Sequence, residues 1–549
     1  MSVLCESCNL QSNDNELEVL MRGLKREVEE LLKECDARHL LQDKKIAEVC
    51  VYIKDNLSNS IRDLLDAMKN SGDLDTIITT TIMSEIELLE SKNESLISVK
   101  SFGAMGNGRT DDTESFKLAL ESKYSTIYVP AGTYIVENIS IPSGKNLVGD
   151  GETSIIKQKA NAKLYANPIE ITSNNVKVEK LVIDGNIDNQ NVDNGKHGIY
   201  ILGSNVLIKD STIKNVNGEG IMIGYTGYLA NNITIDNTII KNNKRNELAL
   251  LNCSNVKVIN SSLSGNNTSA LLDVEIHASG DKINNVIFMN TSFESIGESI
   301  KLLTNGYKTS FDSIIFENCN INSQILMNDF EKVTITNSIC KKGIEIYRGK
   351  DIVINTSTIY KSNGNAIYCY GDNNNLSENI RIMNSNIVNS NIGVLLQNTS
   401  NVYMSSNVIK DNKTGVGIYY KNNYTFLNSC FIANNEKGIK YESTIYNNNF
   451  IDRCILNNST NYDGLVKSKT FIDAFKNSLN LANDTYSVEI TLDENANLVI
   501  PTTMKADMLG VKKQTDVSTA WVQNGMIFED TDGKLKYRNL SGTIQTLSN

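Results

Sequence analysis

The sequence predicts a mainly β chain wound as a parallel β-helix, with an N-terminal α-helical region and a small C-terminal β-rich cap. Three observations carry this. A pattern of inward apolar residues at offsets 0, +2 and +7 recurs eleven times between Val176 and Phe431, at spacings of 19 to 30 residues. A polar column, mostly asparagine, stands at offset +4 of most units. The 549 residues include only 4 prolines, which leaves long stretches free to pair as strands.

The repeat comes first because it fixes the fold. Its units begin Val176/Val178/Ile183, Val206/Ile208/Ile213, Ile233/Ile235/Ile240, Val256/Val258/Leu263 and Val286/Phe288/Phe293, and end with Val402/Met404/Ile409 and Tyr424/Phe426/Phe431. Alternation with period 2 means strands. A unit of about two dozen residues is too short for a propeller blade, and the leucine lattice of a leucine-rich repeat is absent. Stacked coils remain. Offset +4 holds Asp210, Asn237, Asn260, Asn290, Asn318, Asn337, Asn384 and Asn428. Asparagine tolerates the left-handed backbone of a tight turn, and stacked amides can bond from coil to coil. Offset +5 holds Ser211, Thr238, Ser261, Thr291, Cys319, Ser338 and Ser385, so Cys319 reads as a small filler.

Upstream, Leu17, Met21, Leu24, Val28, Leu31 and Cys35 recur at spacings of four and three, a short coiled-coil seam. A second stripe runs from Ile46 to Met68, Ser71-Gly72-Asp73 breaks it, and Ile78, Ile82, Ile86 and Leu89 follow. Residues 1–97 are therefore expected to be helical, either a small bundle or an oligomerising stalk. Cys5-x-x-Cys8 stands without a second pair and reads as part of a flexible tail rather than a zinc or redox site.

Between these regions lies Gly103-Ala-Met-Gly-Asn-Gly-Arg-Thr-Asp-Asp-Thr113, then Val129-Pro-Ala-Gly-Thr-Tyr134 and Leu147-Val-Gly-Asp-Gly151. Asp111-Asp112-Thr113 offers a helix N-cap, 116–122 a short amphipathic helix and 126–129 a strand. The trio resembles the entry segment of the pectate-lyase-like superfamily of right-handed parallel β-helices, as found in bacteriophage tailspikes and appendages. Asn107 stands where that family usually has Asp, at a position expected to be structural. The resemblance covers about residues 98–460. With the flanking regions, the expected domains are 1–97 (helical attachment), 98–170 (entry), 171–464 (β-helix body) and 465–549 (β-rich cap). In the last, Gly525 to Tyr537 reads as a hairpin turning at Thr531-Asp532-Gly533. Such a module looks like the terminal pieces of phage fibres, a trimerising cap or a receptor-binding tip.

Composition narrows the function. Lys+Arg 53 against Asp+Glu 64 gives a net charge of −11, which argues against nucleic acid. No apolar run approaches the roughly 20 residues of a membrane span. The start lacks a secretory pattern, so synthesis in a cytoplasm is expected, and the 10 scattered cysteines read as reduced thiols. Only His39, His197 and His277 exist, too few for a histidine-based nucleophile set or metal cluster. Catalysis would fall to carboxylates.

Most coils carry a Gly-apolar-x-apolar strand before offset 0, as in Gly198-Ile-Tyr-Ile201, Gly220-Ile-Met-Ile223 and Gly417-Ile-Tyr-Tyr420. Two adjacent coils read Glu247-Leu-Ala-Leu250 and Asp273-Val-Glu-Ile276, so Glu247 and Asp273 are expected to stack on the outer face. Glu275 lies two residues along, and His277 follows. Carboxylates so grouped are what glycosidases use, one protonated as acid and another as base or nucleophile. The plainer alternative is a solvated acidic face with Lys301 pairing Glu275. Glu219, Glu298 and Glu345 each stand alone in their columns. Asp184-Gly185 is a turn or a sugar contact, and Tyr200, Tyr368 and Tyr419 are outward aromatics.

The combined reading is a homotrimeric virion tailspike or appendage, joined to other tail or neck proteins through its N-terminal region. It would bind a bacterial surface glycopolymer and cut it with Asp273, Glu275 and Glu247, assisted by His277, Lys301 and Tyr200. The alternatives are a non-catalytic adhesin or structural fibre, and a bacterial polysaccharide lyase or hydrolase. No cofactor is predicted; a divalent cation is left open.

Overall fold

The computed structural model describes residues 96–191, 196–265, 269–307, 312–442 and 446–463, together with short strands beyond 470. The chain divides into two compact units, residues 1–97 with 123–125, and residues 98–122 with 126–549. The first lies almost wholly outside the described residues, as do the heptad segments, Cys5, Cys8, His39 and the turn at Asp532. Among the described residues no helix is long and apolar enough to cross a membrane.

The second unit is a right-handed parallel β-helix of about 14 turns. Three strands per coil form three parallel sheets. Sheet A includes Ile199–Ile201, Ile221–Ile223, Leu248–Leu250 and Ala270–Glu275. Sheet B includes Val206–Lys209, Ala230–Asp236, Cys253–Ile259 and Ile283–Met289. Sheet C includes Thr212–Lys214, Ile239–Lys241 and Ser262–Gly265. The predicted triplets stack in register, Val206 on Ile233 and Ile208 on Ile235, and fill the interior with side chains closed to solvent. Phe288, Phe293 and Phe316 pack there with centroids 4.9 to 5.9 Å apart.

The offset +4 column forms the corner between sheets B and C. Asp210, Asn237, Asn260, Asn290, Asn318, Asn337 and Asn384 all have φ of 47° to 51°, save Asn318 at 53°. Asn290 Nδ2 donates to Asn260 Oδ1 at 3.2 Å, and Asn318 Nδ2 to Asn290 Oδ1 at 2.6 Å. The hydroxyls at +5 accept from the neighbouring coil: Cys319 N donates to Ser338 Oγ at 3.0 Å, and Ser338 N to Ser357 Oγ at 3.1 Å. Cys319 is the filler its column implied. A second asparagine ladder, Asn175–Asn205–Asn232, lines the sheet A–B corner.

Two register expectations fail. Val402 pairs with Thr425 and Met404 with Leu427, so the inward residues of that coil are Thr425, Leu427 and Ile432. Tyr424, Phe426 and Phe431 are exposed, and the left-handed corner is Ser429, not Asn428. A slip of one residue turns every side chain to the other face. On sheet A, Ile439 pairs with Val416 and Tyr441 with Ile418. The inward pair of the Gly417 coil is therefore Val416 and Ile418, and the glycine that precedes it is Gly415, not Gly417.

In the entry segment the α-helix α1 runs Thr113–Glu121, the one α-helix among the described residues. Asp112 occupies its N-cap position, but its carboxylate accepts from Met105 N and Gly106 N instead, at 2.7 and 3.1 Å. Asp111 Oδ1 accepts from Thr113 N. Asn107 Oδ1 accepts from Arg109 N and Thr110 N, each at 2.9 Å, the structural duty expected of it. Beyond 470, Ser478–Ala482, Ser487–Leu492 and Leu498–Val499 form one antiparallel sheet. Met526–Glu529, Leu535–Arg538 and Ile544–Thr546 form another, including the predicted hairpin strands.

Candidate functional site

The outward residues of sheet A form two vertical rows. In one, Tyr200 stacks on Met222, Met222 on Ala249, Ala249 on Asp273 and Asp273 on Lys301. In the other, Glu275 stacks on Leu303 and Leu303 on Asn328. Coils rise about 4.8 Å apart and residues along a strand about 3.3 Å, so Asp273 and Glu275 leave the same face of one strand about 7 Å apart along the backbone.

Glu247 is not among them. Leu248 pairs with Leu272 and Ala249 with Asp273, which sets Glu247 beside Leu271, at the position filled by Gly198 and Gly220 in the coils below. It is closed to solvent and accepts from Asn243 N at 3.3 Å and from Asn243 Nδ2. The expected Glu247–Asp273 pair came from aligning acid with acid, two residues out of register. Lys301 likewise sits above Asp273, not Glu275, and draws the Asp273 carboxyl downward electrostatically.

The two remaining carboxylates are treated in opposite ways. Asn246 Oδ1 accepts from Ala270 N at 3.1 Å, so its Nδ2 faces Asp273 and donates to Oδ2 at 3.1 Å. Asp273 Oδ1 is buried with no hydrogen-bond partner among the described residues. Burial first, then the neighbouring Glu275, push the Asp273 carboxyl up to about 6. For Glu275, burial also pushes upward, but its partners outweigh it. Asn305 Nδ2 donates to Oε1 and His277 Nε2 contacts Oε2, both at 2.8 Å, holding Glu275 below its usual value.

A second layer lies at the base of this face. His197 Nδ1 approaches Glu219 Oε2 at 2.5 Å, and Arg245 Nε lies 3.2 Å from Glu219 Oε1. Burial raises Glu219, but His197 and Arg245 override it and keep it low. The His197 ring is 5.3 Å from that of Tyr200, which packs on the apolar patch of Met222, Ala249 and Leu251. His197, Glu219 and Asn246 occupy one register position on successive coils, just before the sheet A strand. Aligning the aliphatic pairs Ile199/Ile201, Ile221/Ile223, Leu248/Leu250 and Leu272/Val274 would have grouped them from sequence.

The other candidates are structural. Glu345 accepts from Gln324 Nε2 at 3.0 Å and Tyr370 OH at 2.8 Å. Tyr368 OH donates to Gln397 Oε1 at 2.9 Å. Lys440 lies 5.5 Å over the Tyr419 ring. Asp184 Oδ1 accepts from Asn186 N at 2.8 Å in a turn. The Glu298 side chain lies outside the described residues. Among the described residues no cluster of three or more His, Cys, Asp or Glu is arranged to hold a metal.

Residues 96–170 match the rhamnogalacturonase A/epimerase, pectate lyase-like family. The right-handed β-helix region matches over 167–329 and 322–495, more than half of the chain. The preneck appendage protein of Bacillus phage PZA is 26% identical over 154 residues, covering 27% of this chain and 17% of that relative. The chain thus aligns with about a sixth of that protein's length. Mannuronan C5-epimerase AlgE4 of Azotobacter vinelandii is 35% identical over 163 residues, covering 26% of this chain and 29% of the relative. Among solved structures, bacteriophage phi29 gene product 12 superposes with a TM-score of 0.44 at 14% identity, covering 82% of this chain and 88% of that one.

Proposed function

The chain belongs to the right-handed β-helix family, and from that premise we propose that it is a phage tailspike or appendage protein that depolymerises a bacterial surface glycopolymer. The sequence likeness to phage preneck appendage proteins supports the virion assignment. In this reading the chain assembles as a homotrimer, and residues 1–97 attach it to other tail or neck proteins.

The observation that carries the catalytic reading is the divergence of two carboxylates on one strand. Asp273 keeps a buried, unpartnered oxygen and is biased toward its protonated form. Glu275 has a partner on both oxygens and is biased toward the anion. Opposed environments of this kind divide acid from base. Asp273 would protonate the glycosidic oxygen as the bond to the anomeric carbon breaks. Glu275 would take a proton from the water that attacks that carbon. Lys301 and Arg245 border the site and would engage acidic groups of the polymer.

The test is incubation of the purified protein with bacterial capsular and wall polysaccharides, followed by chain-length analysis. Shortening by the wild type and none by Asp273→Asn or Glu275→Gln supports the assignment. Cutting at an unchanged rate by both variants overturns it. Binding without shortening would favour an adhesin.

A further inference from the structure

The chain leaves sheet A at Gly224 rather than running straight into sheet B. Gly224 has φ of +73°, and a Cβ there would stand 1.9 Å from Asn252 O. Only glycine permits this exit. It opens a two-residue turn, Tyr225-Thr226-Gly227-Tyr228, closed by Tyr225 N to Tyr228 O at 3.1 Å and Tyr228 N to Tyr225 O at 2.8 Å.

Three tethers hold the turn. The buried Asp281 accepts from Gly227 N at 3.2 Å and from Thr226 Oγ1 at 3.4 Å. Asn252 Nδ2 donates to Tyr225 O at 3.4 Å. Asp281 belongs to the loop that follows Glu275 and His277, and its Oδ2 also accepts from Ala278 N at 3.1 Å. The turn is thereby laced to the coil that carries the acids. Its two aromatic rings nevertheless remain in solvent, Tyr225 45% and Tyr228 61% exposed. Gly224 N donates to Ile201 O at 2.8 Å, so the turn opens beside the strand that carries Tyr200, which packs on Met222, Ala249 and Leu251. The buried row of Met222 and Ala249 beneath Tyr200 continues upward into Asp273.

A rigid scaffold that spends a buried carboxylate to hold two tyrosines in water calls for a partner for them. Tyrosine presents a flat apolar face with a polar tip at low conformational cost, which suits the C–H face of a pyranose ring. Met222, the outward residue of the coil that leads into the turn, lies two coils below Asp273, about 10 Å along the axis. That places a ring held there in the same polymer as the bond between the acids, but away from the reacting atoms. We infer that Tyr225 and Tyr228, beside Tyr200, form a non-catalytic subsite that stacks a sugar ring of the bound glycopolymer. This rests on the reading that sheet A receives a glycan, and not on whether the glycan is cut.

The experiment uses full-length Asp273→Asn, which can hold a polymer without cutting it, on a printed array of bacterial capsular and wall polysaccharides. In this background Tyr225→Ala with Tyr228→Ala is expected to weaken binding about tenfold. Tyr225→Phe with Tyr228→Phe, which keeps the rings and the turn, should stay within about twofold. Unchanged binding by the alanine pair overturns the subsite, as does loss of binding by the phenylalanine pair, or an array on which the parent binds nothing. A change in assembly mass by light scattering with binding intact would make the turn a subunit contact and also overturn it. If the wild type binds but does not cut, the acid assignment falls while the subsite stands. If it cuts and the alanine pair leaves KM unchanged, the subsite falls while the acids stand.

Discussion

Replacing Asp273 by Asn should make the protein more stable at neutral pH and abolish cutting. In the folded chain the Asp273 carboxyl is displaced from 3.8 to about 6, chiefly by burial. Two pKa units are worth about 3 kcal/mol of differential interaction. The folded state therefore binds more protons than the unfolded chain between those values, so stability falls as pH rises through that window and is lowest above it. Asparagine is nearly isosteric and carries no charge to desolvate. Because Asp273 is only partly buried, water returns some of the cost, and the expected gain at pH 8 is about 1–3 kcal/mol. At pH 4.5 most of the Asp273 cost has gone, and the gain should shrink to about a third. Urea unfolding of both proteins at the two pH values measures this, with other titrating groups common to the pair. A variant that is less stable at pH 8, or a difference that does not change with pH, would mean that Asp273 is a well-paired anion. The general-acid reasoning would then fail.

If Asp273 acts protonated and Glu275 ionised, kcat/KM should be bell-shaped, falling above about 6 and, on the acid side, below the ordinary carboxylate range. Asn305→Ala removes a donor to Glu275 Oε1 and should move the acid limb upward, read from the pH profile. Glu219→Ala leaves the buried His197 ring and Arg245 without their carboxylate partner, and should cost about 1–3 kcal/mol in urea unfolding; no measurable loss would show the ion pair to be incidental. Ser338→Ala orphans the buried Cys319 N–H and should cost about 1–3 kcal/mol, again by urea.

The interior was legible in the sequence because it depends on composition at fixed offsets. Valine, isoleucine and phenylalanine at 0, +2 and +7 bury a solenoid core in any register that keeps them inward, and asparagine at +4 declares the left-handed corner. Where a coil set the aromatics Tyr424 and Phe426 on one face against Thr425 and Leu427 on the other, hydrophobicity alone chose the wrong parity, because the residues that fit above Val402 and Met404 decide the packing. Asp273 and Glu275 were recognisable as neighbours on one strand, since two-residue spacing already places them on one face, and His277 follows just beyond the strand's end. Glu247 was misplaced because its apparent match to Asp273 was chemical, whereas coils are aligned by their aliphatic pairs. The tyrosine turn could not be read at all: its hold on the acid-bearing coil is a bond from Gly227 to Asp281 across 54 residues. Local alternation alone dictates that the chain winds and, wherever one face is clearly the more apolar, which residues fill it. Which side chains meet across coils, which oxygen is left bare and which carboxyl keeps its proton were decided only by the stacking, because burial and hydrogen bonding belong to the assembled surface.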